Sequence, residues 1–199
     1  MHDTRQSILE AARDLYAKEG VHALSMRKLA DQVGISATAI YRHFDDKEHL
    51  ILEVCGEGFT LFGAALMKGL RGKTPMERLE MTGEGYLDFA LEHPQYYRVM
   101  FMSPHPDFDL LQQQAQEAFS PTFQFLIDRV SECQRAGVVG GDDPEAVAAS
   151  IWAHVHGAVA LWLDGHMPPL QDPEVFAAFF LDYSKSYLRA LSPAPRSED

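Results

Sequence analysis

Cysteine is nearly absent from this chain, which holds only Cys55 and Cys133 among 199 residues. Two cysteines so far apart in sequence do not read as the disulfide framework of a small oxidised domain. There is no Cys-x-x-Cys, and no two histidines stand four apart as they do on metal-binding helices. His154 and His156 are two apart, about 200° around a helix, and so do not share one metal. A metal site is not expected, and neither is a cofactor. The Gly-x-Ser-x-Gly elbow and the phosphate-binding glycine loop are also missing, which leaves no catalytic set to nominate. No unbroken run of 18 apolar residues occurs, which argues against a membrane-crossing helix. The opening Met1-His2-Asp3-Thr4-Arg5 lacks the charged-then-apolar form of a signal peptide. The expectation is a cytoplasmic chain with no membrane partner.

Positive charge is scarce too. Lys and Arg number 17 against 29 Asp and Glu, a formal net charge of −12. That balance argues against a chain that coats nucleic acid over its whole surface. It is unevenly spread, however: residues 1–50 hold 7 Lys/Arg and 8 Asp/Glu, and residues 51–199 hold 10 and 21. Screening over ~8–10 Å at moderate salt hides a distant acidic body from a phosphate backbone. The local row of Arg27, Lys28, Arg42 and Lys47 therefore decides what the N-terminal part can bind.

That row belongs to the most informative stretch, Ser25 to Leu50. Ser25 suits an N-cap, and Leu29, Ala30 and Val33 follow at helical spacing. Gly34 can stop the helix in a left-handed conformation. Ile35 points back to a small core, and Ser36 caps a second helix over Ala37–His43. Ile40 and Phe44 turn inward, leaving Ala37, Thr38, Tyr41 and Arg42 outside. The pattern is a helix-turn-helix, whose second helix lies in the DNA major groove. A first helix, about Thr4 to Glu19, braces it through Ile8, Ala12 and Leu15, with Arg5 placed near a phosphate.

Leu24-Ser25-Met26-Arg27-Lys28-Leu29-Ala30, then Tyr41-Arg42-His43-Phe44 with Lys47, Glu48 and Leu50, resemble the N-terminal domain of the TetR family of bacterial transcriptional regulators. The resemblance implies that Ser25, Arg27, Lys28, Ser36, Ala37, Thr38, Ala39, Tyr41, Arg42, His43 and Lys47 form the DNA-binding set. It implies a base-reading role for Arg27, since an arginine fork spans guanine O6 and N7. Lys47 and Tyr41 are expected to hold phosphates.

After Phe44, Asp45 or Asp46 caps a long helix reaching Leu66. Asp45 would place Glu48 at the reciprocal position of a capping box. Gly56, Gly58 and Gly63 weaken this helix and allow a flexible or bent connector. Four cap-plus-proline pairs follow: Thr74-Pro75, Ser120-Pro121, Asp143-Pro144 and Asp172-Pro173. They predict helices over 75–92, 121–136, 144–164 and 173–191, with shorter ones at 94–102 and 107–119. Nothing alternates like a strand. The fold class is all-α, with a three-helix domain over 1–50, a larger regulatory and dimerisation domain over 51–191, and a disordered tail over 192–199.

The helix from Ala146 to Leu163 is apolar nearly all round, and the last helix adds Phe176, Phe179, Phe180, Tyr183 and Tyr187. Helices apolar on two faces bury one in the core and offer the other to a second copy. A homodimer is expected, with Val159 and Phe179 as points where a charge would split it. Trp152, His156 and Gly157, with the stretch Phe89–Phe101, resemble the regulatory domain of a TetR subgroup marked by Trp-x-x-x-His-Gly. The implied effector set is Phe62, Leu66, Tyr97, Met100, Phe101, Trp152, His156 and Trp162, mostly apolar with few polar anchors.

The sequence thus reads as a ligand-responsive DNA-binding regulator, a repressor by resemblance. Two recognition helices would sit about 34–36 Å apart on a pseudo-palindromic operator of double-stranded DNA. A small-molecule effector would loosen them. The alternatives are a helical enzyme acting on a small molecule and an interaction protein that binds no DNA.

Overall fold

The computed structural model describes residues 4–19, 24–102 and 109–193, with the backbone alone for 109–120. Among these residues there is no strand, and the all-α reading holds. The helices are α1 (Thr4–Glu19), α2 (Met26–Val33), α3 (Ala37–Ile40), α4 (Lys47–Leu66), α5 (Pro75–Glu92), α6 (Pro94–Tyr97), α7 (Asp109–Arg135), α8 (Pro144–Leu163) and α9 (Pro173–Ala190). A 3₁₀ stretch, Met67–Arg71, continues α4, and a π-type turn, Arg98–Met102, continues α6.

The described residues fall into two compact units. One takes Met1–Leu61 and His93–Phe119, and the other takes Phe62–Glu92 and Ser120–Asp199. The division falls within α4, between Leu61 and Phe62, and the described residues 93–102 group with the first unit.

In the first unit, α1 packs on α2 and α2 on α3 around Ile8, Leu9, Ala12, Leu15, Leu29, Ala30, Ile40 and Phe44, all buried. Met26 joins that core, whereas Val33 and Ile35 are half-buried. Asp46, not Asp45, caps α4: its Oδ1 accepts from the His49 N–H at 2.8 Å. The third residue beyond that cap is His49, so Glu48 closes no capping box. The helix runs unbroken through Gly56, Gly58 and Gly63.

In the second unit, α5, α7, α8 and α9 enclose Leu79, Val130, Cys133, Val139, Ala148, Ile151 and Leu188. Three of the four cap-plus-proline pairs start helices. Thr74 Oγ1 accepts from Glu77 N–H at 3.1 Å, Asp143 from Glu145 and Asp172 from Glu174, each at 2.9 Å. The fourth does not: Pro121 lies inside α7, which runs continuously from Asp109. An interior proline removes one ladder bond and crowds the carbonyl four residues back, at ~3 kcal/mol or more. The α7 helix nevertheless runs through it, with the helix formers Gln112-Gln113-Gln114-Ala115 upstream. Gly137 and Gly165 take positive φ (71° and 75°) at helix ends, as their positions predict. The tail predicted to be disordered lies mostly outside the described residues, which end at Pro193.

Two helical stretches, Lys47–Arg71 and Pro144–Leu163, are long and apolar enough to cross a membrane by length and composition. Neither forms an unbroken apolar run, because glycines and single polar residues interrupt both. Leu50, Ile51, Val54, Phe59, Phe62 and Leu66 of α4 are buried within the protein, as expected of a core helix.

Candidate functional site

The head is built by its caps. Ser25 is extended (φ −133°, ψ 147°), and its Oγ accepts from Lys28 N–H at 3.2 Å. At the other end of α2, Gly34 sits at φ 78°, a left-handed conformation that costs glycine nothing. The N–H groups of Gly34 and Ile35 both donate to Ala30 O, at 2.9 and 3.0 Å, which closes α2 and turns the chain. Ser36 Oγ then accepts from Ala39 N–H at 3.2 Å and starts α3.

Only Ala37–Ile40 of the predicted second helix is α-helical. Beyond it the bonds tighten to i−3, Arg42 to Ala39 at 3.3 Å and His43 to Ile40 at 2.8 Å, before Phe44 N–H returns to Ile40 O at 3.1 Å. The tightened end drives Phe44 into the core and leaves Tyr41, Arg42 and His43 outside, Tyr41 at 53% exposure. Ser25, Arg27, Lys28, Ser36 and Thr38 are exposed as well, while Ala37, Ala39 and Lys47 are half-buried.

The basic residues are not equivalent. Lys28 forms an ion pair with Glu19 at the end of α1. Arg27 makes no ion pair among the described residues, so its guanidinium is open to a ligand. Arg5 pairs with Glu53, and its guanidinium lies 5.0 Å over the Phe44 ring. It fastens α1 to α4.

The eight residues expected to line an effector site divide between the units. In the first, Tyr97 is fully buried and packs on Phe101 at 5.1 Å between ring centres, with Met100 buried beside them. In the second, Phe62, Trp152 and His156 meet through a residue that sequence reasoning missed. Tyr86 lies edge-on to Phe62 at 5.5 Å, and its hydroxyl is 3.1 Å from His156 Nδ1. Trp152 lies 5.3 Å from the His156 ring and 6.2 Å from Phe123. Burial holds the His156 imidazole below its ordinary pKa. Leu66 is buried. Trp162 is engaged elsewhere, stacked on Phe176 at 4.6 Å with its indole N–H donating to Leu170 O at 2.7 Å. The signal for Tyr86 was its spacing on α5: Thr82, Tyr86 and Phe89 form one buried face.

A family model described as "Bacterial regulatory proteins, tetR family" matches residues 8–54, and one described as "Tetracyclin repressor-like, C-terminal domain" matches residues 79–183. The transcriptional activator FasR of Mycolicibacterium smegmatis is 27% identical over 179 residues, 87% of this chain and 78% of that protein. The transcriptional repressor KstR of Mycobacterium tuberculosis is 32% identical over 78 residues, 39% of this chain and 36% of that protein. The crystal structure of the regulator FadR from Bacillus subtilis in complex with stearoyl-CoA superimposes with a TM-score of 0.76 at 19% identity, covering 96% of this chain and 99% of that one. At that identity the likeness is one of fold. With head and body matched in order, and with a capped helix-turn-helix in the matched head, the chain belongs to the TetR family of bacterial transcriptional regulators.

Proposed function

We propose that this regulator is a cytoplasmic, homodimeric repressor that leaves a pseudo-palindromic operator when its body takes up a small, mostly apolar ligand. The observation that carries the reading is the exposed row of Arg27, Thr38, Tyr41, Arg42 and His43 on a helix-turn-helix whose two N-caps are both satisfied. Arg27 and Arg42 suit base edges, and Tyr41 and Lys47 suit phosphates. Support for a dimer comes from α8 and α9, which leave Ala149, Ala153, Leu161, Val175 and Tyr183 exposed. Support for a mostly apolar effector comes from the buried Phe62 and Tyr86 beside the half-buried His156, and from the acyl chain of the stearoyl-CoA held by the structurally similar FadR.

The test starts with duplex fragments selected from the source genome by the purified protein. Binding is then titrated with and without stearoyl-CoA. A ligand-induced loss of affinity of about 5–150-fold matches ordinary coupling between sites. No retained fragment at low salt removes the DNA reading, and turnover of the added ligand would favour an enzyme. A second reading, activation, is favoured by the name of FasR, the relative matched over most of this chain. Transcription from a selected promoter with the protein added in vitro separates the two.

A further inference from the structure

Three elements of the first unit converge on Tyr96. The Arg13 guanidinium of α1 lies 5.1 Å over its ring centre, and its hydroxyl donates to Glu57 Oε2 of α4 at 2.8 Å. Tyr96 itself stands on α6 and is buried. Asp14 also pairs with Arg13, at 2.8 Å. Burial, and then the hydrogen bond to Glu57, raise the Tyr96 hydroxyl above its ordinary pKa, so it stays a donor.

Immediately after α6 the chain widens into the π-type turn Arg98–Met102. Such single-turn widenings recur at functional sites. Met100 of that turn occupies the space in front of Gly58: a Cβ at position 58 would collide with its sulfur and lie 3.1 Å from Tyr96 Cδ1. Phe101 adds an edge-on contact with Phe59 at 5.8 Å. Segment 94–102 therefore holds α1 by a charge-on-ring contact and α4 by a hydrogen bond and close packing.

Apolar packing tolerates sliding, whereas a buried hydroxyl-to-carboxylate bond is lost within about an ångström of displacement. A shift of 94–102 therefore either carries α1 and α4 with it or breaks this bond. We propose that Arg13, Tyr96 and Glu57 are positioning residues of a latch that passes the state of segment 94–102 to the helix-turn-helix. The segment carries Tyr97, Met100 and Phe101 of the expected effector set, and α1 packs directly on α2. The inference rests on the DNA-binding reading of the head.

Coupling between sites is reciprocal, so the latch is testable from the DNA side with no effector. Hydrogen exchange is measured on the full chain, free and bound to a genome-selected duplex. In the unmodified protein DNA should slow exchange in 24–44 and also in 93–102, the latter by ~5-fold or more, the low end of ordinary coupling. Tyr96→Phe keeps the ring, the packing and the charge-on-ring contact with Arg13 but removes the hydroxyl, and with it the bonds to Glu57 and to the Arg13 guanidinium. Glu57→Leu is therefore the variant that isolates the Glu57 bond. Tyr96→Phe should keep the protection of 24–44 and lose that of 93–102. Glu57→Gln retains an acceptor and should behave as the unmodified protein, whereas Glu57→Leu should behave as Tyr96→Phe. Undiminished DNA-induced protection of 93–102 in Tyr96→Phe and Glu57→Leu overturns the latch, even where their melting temperatures fall. No protection of 24–44 in the unmodified protein would instead sink the DNA-binding reading, and the latch with it.

Discussion

The Tyr86 hydroxyl lies 3.1 Å from His156 Nδ1, joining α5 to α8 inside the second unit. Burial lowers the His156 pKa, and His154, stacked between Tyr183 and Tyr187 at 3.8 and 4.0 Å, is lowered for the same first reason. A histidine whose folded value lies below the ordinary one, about 6.5, is protonated first in the unfolded chain as pH falls. Stability from these groups is therefore full above about 6.5 and is lost below it, until the folded imidazoles also take up protons. His156→Gln should flatten the fall without abolishing it, since His154 remains. Urea midpoints measured between neutral and mildly acidic pH check this; an unchanged slope would remove His156 from the account.

The two aspartates before α4 have different fates. Asp46 caps the helix, while the Asp45 side chain is 91% exposed. Asp46→Ala should cost ~1 kcal/mol, the ordinary worth of an N-cap, and Asp45→Ala only a few tenths. Chemical denaturation of the two variants side by side decides it, and equal losses would return both residues to equal standing.

What the sequence made legible followed local rules. Ser25, Gly34 and Ser36 act within four residues of themselves, and so do Thr74, Asp143 and Asp172; each behaves as its type and neighbours dictate. Ser120-Pro121 obeys the same local rule and still sits mid-helix, so the local pattern does not decide whether a helix begins there or runs through. The union of 93–102 with the head was hidden for another reason. It depends on Gly58 leaving room for Met100 and on Glu57 meeting Tyr96, pairings across some 40 residues that no periodicity encodes. For Tyr86 the buried face of α5 was legible from its spacing, but the partner that gives it a role, His156, stands 70 positions away.

The glycines of α4 divide sharply. Nothing stands within 4 Å of a Cβ at Gly56, whereas one at Gly58 would meet Met100 and Tyr96. Gly56→Ala should stabilise by about 0.5–1 kcal/mol through backbone entropy alone. Gly58→Ala should destabilise by ~1–3 kcal/mol, as overpacking does. Thermal melts of the pair separate them, and a stabilised Gly58→Ala would mean that Met100 gives way freely.

The proposed dimer contact needs a residue other than Val159, which is fully buried within the unit, whereas Leu161 is 50% exposed. Leu161→Glu and Phe179→Glu should leave the helical content intact and yield monomer at micromolar concentration by ultracentrifugation. Val159→Glu should instead unfold the second unit, because an unpaired charge in a core costs several kcal/mol. An unmodified protein that sediments as a monomer would dispose of the dimer altogether.

The sharpest contrast lies among the basic residues of the head. Arg27 is exposed with no ion pair among the described residues, while Lys28 is tied to Glu19. A free arginine fork at a base edge confers preference for one base, so Arg27→Ala should cost ~1–3 kcal/mol per half-site and relax selection at a single position. Lys47 stands at the start of α4, and its proposed role is to neutralise backbone phosphate. Lys47→Ala should weaken every sequence alike and reduce the salt slope by about one unit for each phosphate the lysine neutralises. Glu19→Gln tests the tie directly. It frees Lys28 and removes an acid from the DNA side, so affinity should rise on all sequences and the salt slope should steepen, with base preference unchanged. Binding of the three variants to a panel of operator duplexes at several salt concentrations reads preference and slope in one experiment. An Arg27→Ala protein with unaltered base preference would place Arg27 beside the phosphates or on idle surface, and would leave Arg42 as the base reader.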